Sequence, residues 1–153
     1  MAAVLNLVDY SNSMIDYKIS KFPDGQQDIT IIGFKNRANN SLDFFLGVDC
    51  LIVSRFNSWL DLELIIAAKN ALLNLEVNKI SLKIPYLFSA RSDRRFSEGG
   101  NSYLVDILSP ILNAQNFHKI YTLDVHSDVA SACIKKLKNE TVLDQLLVEA
   151  FYE

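Results

Sequence analysis

The sequence predicts a single α/β domain, residues 1–153, built on a mostly parallel sheet flanked by helices. Short runs rich in β-branched residues alternate along the chain with longer segments whose apolar residues recur at helical spacing. Strands that alternate with helices form βαβ units, and these place their strands parallel in one sheet. A chain of 153 residues, half of them apolar, has the length of a single domain and is large enough to bury a hydrophobic core.

The first half of the chain is predicted to contain two strands and a long helix. Residues 29–34 (ITIIGF) and 48–54 (VDCLIVS) are rich in β-branched residues and are bounded by polar turns, as strands are. A helix is predicted at residues 58–75, with Ser58 as its N-cap and Asp61 in its first turn. The apolar stripe predicted for this helix consists of Leu60, Leu64, Ala67, Ala68, Ala71 and Leu75.

In the second half of the chain, predicted strands and helices continue to alternate. Two more strands are predicted, at residues 79–84 and 119–124. Three more helices are predicted from apolar spacing, at residues 102–115, 128–137 and 142–151. Pro85 should end the first of these strands, and Pro110 should kink the helix around it or end it early, because proline has no N–H to donate.

Composition and charge exclude several classes of function. A formal net charge of −3 gives no global basic field that would hold nucleic acid. The N-terminus lacks the basic start and apolar core of a secretory signal, and charged or polar residues interrupt the longest apolar stretch, so we expect a cytoplasmic chain without a membrane span. Cys50 and Cys133 have no metal-ligand spacing and are predicted to be buried free thiols.

In parallel sheets, ligands bind at the carboxyl ends of the strands, and this rule selects the loop at residues 86–100. Three arginines lie within five residues of this loop, at Arg91, Arg94 and Arg95, and two glycines follow them. Guanidinium groups bind phosphate oxygens in pairs, so the loop could bind a polyphosphate. The alternative is a solvated surface loop with ion pairs among Arg91, Asp93 and Glu98.

The same rule selects the turn that follows the strand at residues 119–124. Asp124, His126 and Asp128 could hold a divalent cation there, directly or through water. The alternative is a strand end followed by a helix whose N-cap is Ser127 or Asp128.

A third segment, residues 21–27, contains Pro23-Asp24-Gly25 between two extended runs, which indicates a turn. An exposed Phe22 beside Asp24 could also stack on a planar base, with Asp24 hydrogen-bonded to it.

Four segments, taken in order, resemble the ribose-phosphate pyrophosphokinases (phosphoribosyl pyrophosphate synthetases). They are FPDGQ at residues 22–26, SRFNSWLDLEL at residues 54–64, IPYLFSARSDRR at residues 84–95 and YTLDVHSD at residues 121–128. The resemblance implies domains of the phosphoribosyltransferase type, assembly into homo-oligomers, and transfer of the pyrophosphoryl group of magnesium-ATP to the C1 hydroxyl of ribose 5-phosphate.

The resemblance also implies roles for particular residues. Phe22 and Asp24, with Gln26 beside them, would contact the adenine, commonly that of an ATP bound by a neighbouring subunit. The residues that would bind the ATP phosphates are Arg91, Ser92, Asp93 and Arg94. His126 would ligate the catalytic Mg²⁺. Gln26 stands where the family usually has glutamate, and Ser92 where it usually has glutamine.

The acidic pair and Thr-Gly-Gly-Thr-like loop of the family's sugar-phosphate site are not found in this sequence. We therefore expect the ATP-binding N-terminal half of such an enzyme, with no catalytic residue of its own. It would use ribose 5-phosphate only together with the missing C-terminal domain, or with a complementary C-terminal half. Two alternatives stay open: a non-catalytic regulatory partner of a complete synthetase, and half of a related enzyme that acts on ADP-ribose.

Overall fold

The computed structural model describes residues 2–37, 41–125 and 127–141, and its central feature is a five-stranded parallel sheet. The strands of the described part are β1 (Ala3–Asn6), β2 (Ile15–Lys21), β3 (Gln27–Phe34), β4 (Cys50–Val53), β5 (Ile80–Lys83), β6 (Ile120–Leu123) and β7 (Leu137–Glu140). The order across the sheet is β1-β4-β5-β6-β7, and every neighbouring pair is parallel. The predicted α/β fold with a mostly parallel sheet is confirmed.

The helices of the described part are α1 (Trp59–Asn74), a π-helix (Tyr103–Leu108), α2 (Ser109–Ala114) and α3 (Asp128–Cys133), together with two short 3-10 helices at Tyr10–Asn12 and Leu42–Phe45. Along β1, β4, β5 and β6, every second residue is buried and its neighbour is half-buried, so one face of the sheet is buried in the core. The buried residues of these four strands are Ala3, Leu5, Cys50, Ile52, Ile80, Leu82, Ile120 and Thr122.

Helix α1 begins as the sequence predicted, at a complete capping box. The Ser58 hydroxyl accepts a hydrogen bond from the Asp61 N–H, and the Asp61 carboxylate accepts one from the Ser58 N–H. The predicted apolar stripe is correct only in part, since Ala68 is buried but Leu60 is 58% exposed. Its other four residues, Leu64, Ala67, Ala71 and Leu75, are half-buried and pack against the core. The face that is buried consists of Leu62, Ile65, Ala68 and Leu72. Apolar residues occur on nearly all sides of this helix, so their spacing alone did not determine the buried face.

Strands β2 and β3 form a separate antiparallel hairpin that packs against α1. At its tip the Phe22 N–H donates to the Gln26 carbonyl at 2.8 Å, and Gly25 adopts the left-handed conformation (φ 95°) that the predicted Pro-Asp-Gly turn requires. Directly after the tip, at the first residue of β3, the Gln27 side-chain amide donates to the Leu60 carbonyl at 3.0 Å. The tip end of the hairpin is therefore tied to the first turn of α1.

The helix predicted at residues 128–137 is wrong in its second half. Helix α3 ends at Cys133, Lys136 turns in the left-handed region (φ 62°), and Leu137 begins strand β7. Pairing of Leu137 with Ile120 continues the parallel sheet, and this tertiary pairing overrides the local helical spacing. The helix predicted at residues 142–151 lies outside the described residues.

The helix predicted at residues 102–115 is present, but it has two parts, the π-helix and then α2. Pro110 neither ends it nor shortens it. It is the second residue of α2, where a missing N–H is tolerated, so the proline lies at the change from one helical form to the other.

The two free cysteines differ in burial. Cys50 is 2% exposed, and its burial, together with the neighbouring Asp49 carboxylate, raises the pKa of the thiol to about 12. Cys133 is only half-buried, so the prediction of a fully buried thiol holds for Cys50 alone. None of the helices in the described part of the chain has the length and apolar character that a membrane crossing requires.

Replacing the N-cap of α1 tests the capping box. Ser58→Ala should lower the free energy of unfolding by about 1 kcal/mol, because the first turn loses a hydrogen-bond acceptor. Urea unfolding followed by circular dichroism measures the change. Ser131→Ala, at an exposed serine of α3, is the matched control and should change stability little. Equal effects of the two substitutions would contradict the capping role.

Candidate functional site

The candidate site is a cleft of about 420 Å³ at the carboxyl ends of β5 and β6. The pairing of these strands continues beyond their ends, since the Ile84 N–H donates to the Tyr121 carbonyl at 2.9 Å and the Leu123 N–H donates to the Pro85 carbonyl at 3.2 Å. The residues lining the cleft are Tyr86, Leu87, Ala90, Arg91, Asp93, Leu123, Asp124, Val125 and Ser127. The cleft thus lies between the two segments that the strand-end rule selected.

One wall of the cleft is the arginine-containing segment after β5. Leu87 is buried beneath it and accepts a hydrogen bond from the Ala90 N–H at 3.2 Å. Ser89 adopts the left-handed conformation (φ 64°) and accepts a hydrogen bond from the Ser92 N–H at 2.9 Å. This tight turn leaves Arg91 exposed at the cleft, with its guanidinium available to a ligand.

The other wall is the turn after β6, and strand β7 supports it. Asp124 is left-handed (φ 48°), and its N–H donates to the Glu140 carbonyl at 2.9 Å. The Asn139 side chain forms two hydrogen bonds with the backbone of Val125, accepting from the N–H at 2.9 Å and donating to the carbonyl at 3.0 Å. The polar residues of an edge strand therefore hold the turn in place.

Ser127 joins the two walls. Its hydroxyl accepts from the Ala130 N–H at 3.3 Å, which makes it the N-cap of α3, and donates to Asp93 Oδ2 at 2.9 Å. This confirms Ser127 as the N-cap, one of the two candidates from the sequence. Within the described part of the chain, no ion pair forms among Arg91, Asp93 and Glu98. Residues 94–101 are nevertheless all exposed, as the surface-loop alternative expects.

Among the described residues, the charged groups that line the cleft are one guanidinium, Arg91, and two carboxylates, Asp93 and Asp124. A site that offers both a cation and carboxylates suits a phosphate bound together with a metal ion better than a bare anion. Two other predicted residues, Ser92 and Arg94, belong to the same loop but do not line the cleft. Arg94 instead lies 5.5 Å from the ring centre of the exposed Phe96.

The predicted metal ligand, His126, lies outside the described residues. Of its proposed companions, Asp124 lines the cleft and Asp128 is exposed as the first residue of α3. Within residues 2–37, 41–125 and 127–141, no group of three or more His, Cys, Asp or Glu side chains is placed to hold a metal ion. Magnesium binding therefore stays a prediction.

The structure places Phe22, Asp24 and Gln26 at the tip of the β2–β3 hairpin. Phe22 is 47% exposed, and Asp24 accepts a hydrogen bond from the Gln26 N–H at 3.1 Å. Among the residues described, none from this tip lines the cleft. Contact between these residues and a base stays a prediction.

Sequence reasoning missed two contributors to the site. Tyr86, 55% exposed beside the cleft, could have been found as an aromatic residue directly after a strand-ending proline. Asn139 had no such signal, because its segment was not predicted to be a strand and its role depends on pairing with β6.

No protein-family model and no curated protein matches this chain. Among solved structures, the crystal structure of phosphoribosylpyrophosphate synthetase from Mycobacterium smegmatis matches with a TM-score of 0.67 over 91% of the chain. The chain has a phosphoribosylpyrophosphate-synthetase-like fold. The sequence identity is 13%, and the match spans 44% of the synthetase chain. At this identity the likeness shows the fold alone, and the present chain corresponds to less than half of the synthetase.

Removing the hydroxyl that joins the walls tests the assembly of the cleft. Ser127→Ala should lower the free energy of unfolding by about 1–2 kcal/mol, because it removes both an N-cap and a hydrogen bond to Asp93. Ser127→Thr keeps the hydroxyl and should recover most of the loss. Thermal or urea unfolding measures both variants, and an alanine variant as stable as the threonine variant would contradict the link between the walls.

Proposed function

We propose that this chain is the ATP-binding half of a ribose-phosphate pyrophosphokinase and that the cleft between β5 and β6 holds the ATP phosphates. The observation that carries the proposal is the exposed Arg91 in the loop after β5, which lines one cleft with Asp93 of the same loop and with Asp124 at the end of β6. The synthetase-like fold and the four matching segments support the same reaction. The part of the reaction assigned to this chain is the binding and orienting of magnesium-ATP.

Arg91 would bind the phosphate chain through its guanidinium fork, with Ser92, Asp93 and Arg94 in the same loop. Asp93 and Asp124 line the cleft, and carboxylate oxygens are ligands that Mg²⁺ prefers, so these residues and His126 would hold the metal. When bound, Mg²⁺ neutralises charge on the transferring group. The Ser127 hydroxyl would keep the Asp93 carboxylate oriented through the bond that it already makes.

The adenine would be recognised by a second copy of the chain. Phe22, Asp24 and Gln26 are exposed at a hairpin tip, and the cleft of their own chain is lined by other residues of the described part. Phe22 would stack on the base while Asp24 and Gln26 supply polar contacts. This arrangement makes a homo-oligomer part of the proposal.

Ribose 5-phosphate would be bound by a second domain, like the part of the synthetase chain that the match does not cover, since the match spans 44% of that chain. Attack by the sugar hydroxyl on the phosphorus requires in-line positioning of both substrates. Neither half alone achieves that positioning.

Isothermal titration with magnesium-ATP tests the nucleotide site. The wild-type chain should bind, and Arg91→Ala should weaken binding by about 10- to 100-fold, because a charge-assisted pair of hydrogen bonds to phosphate is lost. Arg37→Ala is the matched control. Its guanidinium lies over the ring of Phe44, 4.2 Å from the centre, and its removal should leave the affinity unchanged.

Equal loss of affinity in both arginine variants would show a nonspecific charge effect and would contradict the assigned site. Absence of binding by the wild-type chain would favour the regulatory alternative, in which the chain docks onto a complete synthetase without using ATP.

An activity assay tests whether residues 1–153 catalyse the transfer without a second domain. Residues 1–153 with ATP, Mg²⁺ and ribose 5-phosphate should form no phosphoribosyl pyrophosphate above the rate without protein, because the family's sugar-phosphate motif is not found among them. Measurement of AMP release by chromatography detects turnover. Formation of product by the chain alone would show that the assignment as one half is wrong.

A further inference from the structure

Four aromatic side chains form a cluster beside the arginine loop: Phe56, Trp59, Phe88 and Tyr103. Phe88 lies within this group, with its ring centre 5.7 Å from Phe56, 6.1 Å from Trp59 and 6.2 Å from Tyr103. The contacts of Phe88 with Trp59 and with Tyr103 are edge-to-face, an arrangement that aromatic rings prefer. The Trp59 indole N–H donates to Tyr103 Oη at 2.6 Å.

The aromatic cluster ties both ends of the arginine loop to helix α1. Phe88 lies at the start of the loop, three residues before Arg91, and Tyr103 is the first residue of the π-helix that follows the loop. Trp59, the first residue of α1, contacts both rings. The Leu104 N–H adds a backbone hydrogen bond to the Ser92 carbonyl at 3.0 Å.

Between these anchors the loop has little support from the core. Every residue from 94 to 101 is exposed. Because few buried contacts hold this stretch, its opening depends on the strength of the anchors at its two ends. The position of Arg91, which lies between Phe88 and Ser92, therefore depends on the same anchors.

We propose that Trp59 and Tyr103 are positioning residues for Arg91, and that their hydrogen bond closes the base of the arginine loop. This inference rests on the proposed function, in which Arg91 binds ATP phosphates. Neither residue lines the cleft in the described part of the chain, so both act through the loop. A preformed loop binds more tightly, since less ordering is required when the ligand arrives.

Limited trypsin digestion of the folded chain tests the anchoring without any nucleotide. Trypsin cleaves after Arg91, Arg94 and Arg95 in the loop, and after the exposed Lys135 and Lys136 before β7. Tyr103→Phe removes only the hydroxyl and Trp59→Phe removes the indole donor. Each should raise the ratio of loop cleavage to lysine cleavage by about two- to tenfold, the population change expected for one net hydrogen bond.

The ratio separates positioning from a general loss of stability, because global unfolding exposes both groups of sites equally. Tyr10→Phe is the matched control, since it removes another tyrosine hydroxyl that donates to a side chain, that of Asp16, away from the cluster. It should leave the ratio unchanged. An unchanged ratio in both Tyr103→Phe and Trp59→Phe would overturn the proposal.

Titration of the same variants with magnesium-ATP tests the consequence for Arg91. Tyr103→Phe and Trp59→Phe should weaken binding by about two- to tenfold, in step with the digestion ratio. A raised ratio with unchanged affinity would overturn the positioning role, since the cluster would then order the loop without orienting Arg91. If the wild-type chain binds no ATP, the proposed function fails, and the digestion ratio still decides whether the pair holds the loop.

Discussion

The parallel pairing of β5 with β6 brings two segments from distant parts of the chain to one edge of the sheet. Its register, Leu82 opposite Ile120 and Lys83 opposite Tyr121, keeps the buried residues of both strands on the same face. A shift by one residue would exchange the faces, so burial specifies the register strongly. The hydrogen bond between Leu123 and Pro85 extends the pairing into the loops. The cleft, its Arg91 and the link between Asp93 and Ser127 all depend on that register.

The residues that shape the site are mostly not those that would touch a ligand. Asn139 on the edge strand β7 holds the backbone of Val125, and Trp59 at the start of α1 contacts Phe88 at the start of the arginine loop. The same helix holds the tip end of the hairpin through Gln27, whose side chain donates to the Leu60 carbonyl. Helix α1 therefore contacts both segments for which the sequence suggested nucleotide binding. One contact is between aromatic rings and the other is a hydrogen bond from an amide to a backbone carbonyl.

The sequence predicted the central strands and α1 because β-branched runs and a capping serine are local signals. It assigned no strand at β1, β2 or β7, and β7 is polar (LKNE) and recognisable only through its pairing with β6. Arg91 and Asp93 were predicted correctly as residues of one loop at a strand end, since the topology of parallel sheets places such loops together. The hydrogen bond from Ser127 to Asp93 and the support from Asn139 arise from tertiary packing, which no local pattern encodes.

Each wall of the cleft contains one non-glycine residue in the left-handed conformation, Ser89 in one and Asp124 in the other. Such a residue costs about 1 kcal/mol relative to an ordinary conformation. The surrounding hydrogen bonds maintain both turns, so the cost belongs to the folding of the domain. Substitutions far from the cleft that loosen the sheet would release these two turns. Under the proposed function, they would therefore weaken ligand binding without altering any group that touches the ligand.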